Sequence, residues 1–141
     1  MADNFIHSAE RMRDSSNILH LNKDFHNSCY MAGYVVECYL KIFMNFSLPI
    51  PSSNPRSYGH NINQLSADLY YAATSAASAS AYRSYIIDVH TECNNIINTW
   101  NPIKRYEDNP NAWDETMSIN FHQEKEKCFD ILTKMTIDNV I

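Results

Sequence analysis

Between Phe25 and Phe46 the chain runs through FHNSCYMAGYVVECYLKIFMNF with no proline and with apolar residues on more than one helical side. Phe25, Cys29, Ala32, Gly33, Val36, Leu40 and Phe43 recur at three-and-four spacing, and Met31, Val35, Cys38 and Ile42 form a second such row. A helix with two apolar faces needs two or more neighbours, so the remaining segments must pack around it. A further row, Tyr30, Tyr34, Glu37, Lys41 and Asn45, shares the period and places a carboxylate and an ammonium one turn apart.

The rest of the composition agrees with helices. Only two glycines and five prolines occur in 141 residues, and every proline lies outside the long periodic segments, which leaves little turn chemistry for an all-β chain. One domain spanning 1–141 is the expected organisation, and a chain of this size buries about two-thirds of its unfolded surface without disulfides or metal. Cys29, Cys38, Cys93 and Cys128 form no CxxC pair and fall beside apolar stripes, the pattern of reduced core thiols. A formal net charge of −5 argues against broad affinity for duplex nucleic acid. With no signal-peptide pattern at the N-terminus and no apolar run long enough for a membrane span, a soluble, cytoplasmic protein is expected.

Taken in order, Asn4–Leu21 predicts a first helix capped by Asp3 or Asn4, with a narrow apolar edge through Phe5, Ala9, Met12, Ser16 and Leu19. A short LNKD turn leads to the central helix and favours antiparallel packing. Pro49, Pro51 and Pro55 mark a loop, after which Ile62, Leu65 and Leu69 predict a shorter helix. That helix fades into the Ala/Ser tract of 72–81, which reads equally as a mobile connection or a helical extension. Ser80–Trp100 predicts a long helix carrying Tyr82, Ile86, Val89, Cys93, Ile96, Ile97 and Trp100 on one side. After the polar connection NPIKRYEDNPN, a last helix from Ala112 to Asp138 is expected to turn Trp113, Met117, Phe121, Cys128, Leu132 and Met135 inward and Glu124, Lys125, Glu126 and Lys127 outward. The economical solution is an all-α, antiparallel up-and-down four-helix bundle with an additional short helix across one end.

AGYVVECYLK at 32–41, GHNINQL at 59–65 and WNPIKRY at 100–106 together resemble the HEPN domains, the higher eukaryotes and prokaryotes nucleotide-binding domains. The resemblance covers most of the chain. It implies a helical bundle, usually a homodimer, found in toxin-antitoxin and defence systems and often encoded beside a small nucleotidyltransferase. Many members are metal-independent endoribonucleases that use an R-x(4-6)-H motif. Arg105 stands where that arginine is expected, but Pro110, Asn111 and Ala112 occupy the positions where the histidine would fall. None of these can exchange a proton near neutral pH, so the leading reading is a binding module without that catalysis, with no cofactor and no metal, and a metal-independent endoribonuclease with an altered active site is the alternative.

Binding candidates are Glu37, Lys41, His60, Lys104, Arg105, Tyr106 and Asn111. Glu37 and Lys41 are either a helix-surface ion pair or a partly buried group near Arg105, which Glu37 would orient. Arg105 and Tyr106 could position a phosphate, or Arg105 could cap the preceding helix. His60 reads as a helix cap or a site residue. His7, His20, His26, His90 and His122 show no HxxxH pair, which argues against a metal site. The expected partners are a second copy of the chain, RNA or a nucleotide, and a nucleotidyltransferase; no membrane is implied. The central helix supplies the residue-level motive for a dimer, since it has apolar residues on more sides than three neighbours cover.

Overall fold

A computed structural model describes residues 4–46, 50–52, 54–75, 82–106 and 112–141, apart from the Arg105 side chain. Among these residues the regular structure is entirely helical: α1 (Phe5–Leu21), α2 (Phe25–Ile42), α3 (Ile62–Ser75), α4 (Val89–Glu92), α5 (Asn94–Thr99) and α6 (Glu115–Ile137), with short 3-10 turns between them. No helix among them is long and apolar enough to cross a membrane.

The ends of α1 follow from local chemistry. The Asn4 side chain accepts from the His7 amide at 3.0 Å and caps the first turn. The other end turns tightly through Lys23, at φ 62, with the Lys23 amide donating to the His20 carbonyl and the Asp24 amide to the Leu19 carbonyl. That is the left-handed helix stop in which glycine is usual, adopted here by a lysine. The turn folds α1 back along α2. Ser16 Oγ donates to the Ser28 carbonyl at 2.9 Å and Ser28 Oγ to the Ser16 carbonyl at 2.7 Å, so two small buried residues bring the helix backbones close.

α2 is the centre of the core. Val35, Val36, Cys38, Tyr39, Leu40 and Ile42 are all buried within a single chain, so the apolar faces that motivated a dimer are covered without a second copy. Phe43 and Met44, in the 3-10 turn that ends this element, are buried as well. α6 runs in the same direction as α2: Trp113 lies beside His26, while Val140 and Ile141 meet Ile42 and Phe46 at the opposite end. Its N-terminus is capped by Asp114, which accepts from the Met117 amide at 3.0 Å.

Residues 82–100 do not form the single helix that periodicity predicts. They run antiparallel to α2 and α6, with Tyr85 beside Tyr39 and Asp138, Cys93 beside Cys128, and Trp100 beside Tyr30. Side chains from the neighbouring helices compete for this backbone. Tyr39 donates to the Tyr85 carbonyl at 2.6 Å and accepts from the Ile87 amide at 3.1 Å, which holds 86–88 out of the helix. Glu124 accepts from the Ile96 amide at 2.8 Å and from Asn95 Nδ2 at 2.7 Å, which supports the start of α5.

That second contact corrects the outward assignment of the charged run on α6. Glu124 is 6% exposed and Lys125 is 0% exposed, whereas Lys127 does face solvent. A carboxylate in this position replaces the amide partners that a helix start lacks, which makes its burial affordable. Of the Ala/Ser tract, 72–75 belong to α3 and the remainder lies outside the described residues.

Candidate functional site

The row of polar residues on α2 converges with the start of α3. Glu37 is only 6% exposed, and its side chain is held from two directions. Lys41, one turn on, donates from Nζ to Glu37 Oε1 at 2.8 Å, while His60 Nδ1 lies 2.9 Å from Glu37 Oε2. Lys41 is itself buried, so this is not the solvated surface pair that i,i+4 spacing allows. Taking a carboxylate and an ammonium out of water is tolerated here because each has a short, charge-assisted partner.

His60 does not cap α3. Asn61 does so, its Oδ1 accepting from the Gln64 amide at 3.1 Å, and the tight turn through Gly59, at φ 55, swings His60 across to α2. The imidazole side chain is about half exposed. With Nδ1 on the buried carboxylate, Nε2 is left as the outward nitrogen, the arrangement in which a second partner fixes a histidine's tautomer and orientation.

Aromatic rings pack around this corner. Tyr34 makes edge contacts with His60, at a 5.7 Å centroid separation, and with Trp100, at 5.0 Å. Trp100 Nε1 donates to the Tyr30 carbonyl at 3.0 Å, and the Tyr30 and Tyr34 hydroxyls are 3.0 Å apart. Beside His60 lies a pocket of about 450 Å³ whose wall includes Tyr58, Asn61, Asn63 and Asn101. Asn63 Nδ2 donates to the Ile97 carbonyl, Asn101 Oδ1 accepts from the Ile103 amide and Asn61 Oδ1 from the Gln64 amide, and no hydrogen bond to another described residue engages Asn63 Oδ1 or the Asn61 and Asn101 Nδ2 groups.

The other sequence candidates are not drawn into this cluster by any contact described. Lys104 and Arg105 lie in the 3-10 turn Pro102–Tyr106, which is anchored near the start of α2: His26 Nε2 donates to the Lys104 carbonyl at 2.8 Å. His26 and Glu37 are roughly 16 Å apart along the helix axis. The proposed contact of Glu37 with Arg105 falls on a side chain outside the described residues, and the partners of Glu37 among those described are Lys41 and His60. Tyr106 is exposed, and Asn111 lies outside the described residues.

Among the described residues no group of three or more His, Cys, Asp or Glu is placed to hold a metal ion. The cysteines are free and buried, and burial pushes the Cys29 and Cys38 thiols up to about 12, the opposite of a reactive thiolate. Sequence spacing missed the partnership of Glu37 with His60, although GHN before a helix was a signal that a histidine sits on a sharp turn. No family model, curated protein or solved structure matches the chain.

Proposed function

We propose that this chain is a HEPN-like helical domain that binds RNA or a nucleotide through the Glu37, Lys41 and His60 face and works as a dimerising, non-catalytic module of a toxin-antitoxin or defence system. The fold proposal is an up-and-down four-helix bundle formed by α1, α2, the 82–100 limb and α6. In it the third member is broken by Tyr39 and Glu124, and α3 is the additional helix.

The observation that carries the ligand proposal is the buried Glu37 carboxylate gripped by Lys41 and His60 at the edge of an amide-lined pocket. Asparagine amides pair with base edges through both donors and acceptors, and an oriented imidazole Nε2 suits a phosphate or sugar hydroxyl. Fluorescence anisotropy with labelled tRNA and with a labelled adenine nucleotide tests it. Weak, salt-sensitive binding that falls in His60→Ala and Arg105→Ala is expected. No binding at low salt, or equal binding by both variants, removes the proposal.

Dimerisation rests on the HEPN resemblance, since α2 is covered within one chain. Light scattering at micromolar concentration decides it, and a clean monomer across that range removes it. A binding subunit of a nucleotidyltransferase is the related reading in which the partner is a second protein, and co-purification with such an enzyme would favour it.

The Glu37–His60 pair also favours a second reading, a metal-independent endoribonuclease with an altered residue set. Here His60 supplies the proton-exchanging group missing from 110–112. Incubating highly purified protein with mixed tRNA and mRNA separates the two: cleavage that disappears in His60→Ala replaces the non-catalytic reading.

A further inference from the structure

A second polar cluster lies between α1 and α6, apart from the Glu37 face. Here a pocket of about 440 Å³ is lined by Asn17, His20 and Leu21 from α1 and by Ile119, His122 and Gln123 from α6. Both imidazoles are held from behind. His20 Nδ1 lies 2.7 Å from the buried Ser118 hydroxyl, and His122 Nδ1 lies 2.7 Å from Lys125 Nζ. Because an ammonium only donates, the neutral His122 ring accepts at Nδ1 and carries its proton on Nε2. The rings are stacked at a 6.4 Å centroid separation, and no described residue bonds to either Nε2.

Lys125 lacks a close carboxylate partner among the described residues. Lys125 is fully buried, and the carboxylate nearest to it, Glu126, has an oxygen 3.9 Å away. That carboxylate is already taken by Arg13, whose Nε donates to both oxygens at 2.9 and 3.0 Å. Arg13 also has the carboxylates of Asp14 and Asp130 near it, whereas Lys125 has only this long contact with the shared Glu126. Asn17 Oδ1 is in addition buried without a hydrogen-bond partner among the described residues. A buried cation with half a counter-ion and a buried acceptor with none are both expensive in an isolated chain.

We infer that the α1–α6 pocket binds a small organic anion, a carboxylate or phosphate monoester, whose charge is met by His20 and His122 in front of Lys125, whose apolar body lies on Leu21 and Ile119, and whose hydrogen-bond donor reaches Asn17. The volume suits a small molecule rather than a chain segment. The anion supplies a counter-charge for Lys125, and its donor satisfies Asn17 Oδ1, the buried side-chain atom without a partner among the described residues. Binding is linked to protons: burial lowers Lys125 to about 8 and, with Lys125 beside it, lowers His122, and an anion favours the protonated form of each. The groups facing them are His20 and Arg13 from α1, Cys29 from α2 and Glu126 from α6.

The test uses 4-hydroxyphenylacetate and phenyl phosphate as probes, with uncharged tyrosol as control, read by the imidazole NMR signals of His20 and His122. Saturable shifts of both rings are expected with at least one anion, with tyrosol about tenfold weaker and with anion affinity falling about fivefold from pH 6.5 to 9 as Lys125 loses its proton. Lys125→Met keeps the volume of the buried side chain; it should fold, bind more weakly and lose the pH dependence. His122→Ala, an exposed position, should abolish binding with an unchanged circular dichroism spectrum. Silence of both rings toward both anions, equal binding of tyrosol, or undiminished binding by the two variants overturns the inference.

Discussion

The indole of Trp100 occupies the space in which any residue but glycine at position 33 would place its Cβ. Glycine in mid-helix is unfavourable by about 1 kcal/mol relative to alanine, so its presence here answers to packing rather than propensity. Trp100 also reaches over Gly33 to the Tyr30 carbonyl and carries Tyr34 on its ring. The corner that holds Glu37 and His60 therefore depends on one missing methyl group.

Gly33→Ala should be net destabilising, because an inserted methyl in a packed contact costs about 1–3 kcal/mol and the helix-propensity gain offsets only part of it. Urea unfolding measures this. A variant as stable as the parent would mean that the indole moves aside freely.

Glu37 and His60 should be coupled energetically. Because His60 is half exposed, a double-mutant cycle with Glu37→Gln and His60→Ala is expected to give a modest interaction of about 0.5–1 kcal/mol. Glu37→Gln alone should lose more, about 3 kcal/mol, since it leaves the buried Lys41 ammonium without its counter-ion. Additive effects in the cycle would show that the pair acts separately.

Glu124→Ala should destabilise the protein by about 2–3 kcal/mol, as it strips a charged acceptor from the Ile96 amide and from Asn95. Hydrogen exchange locates the effect: amides of 94–97 should lose protection before those of α2. Uniform loss across the chain would argue that the carboxylate does not act as a local cap.

Stability should rise with pH between about 8 and 9 and fall above that. Lys125 has its pKa lowered to about 8 in the folded protein from 10.5, so the unfolded chain binds this proton more tightly; the penalty is full below about 8 and is relieved as pH rises from there toward 10.5. Cys29 and Cys38 act in the opposite sense, since thiols raised by burial to about 12 ionise near 9 only once unfolded. Denaturation of the reduced protein across this range should show the maximum, and Lys125→Met should lose the rise while keeping the fall. A rise that persists in Lys125→Met would assign it to another group.

Much of the fold is legible along the chain. The three-and-four spacing of α1, α2 and α6 and the Asn4 cap are local properties, because apolar period and backbone hydrogen bonding within a helix involve residues a few positions apart. The polar row on α2 was equally visible, and its period alone marked Glu37 and Lys41 as one unit.

What tertiary structure decided are the events in which a side chain from one element takes a backbone or charged group of another. Periodicity through 80–100 predicts one helix, but Tyr39 and Glu124 satisfy its backbone from outside and divide it. The run Glu124–Lys127 has the composition of a solvated face, yet Glu124 is buried with its partners on α5, and Lys125 is buried where α6 packs on its neighbours although its contacts, His122 and Glu126, lie on its own helix. The spacing on α2 pairs Glu37 with Lys41 but does not reveal His60, which the turn through Gly59 brings to the same carboxylate. A local pattern records which face of a helix is apolar, but the cost of burying a charge depends on what stands opposite it, and only the packed chain determines that.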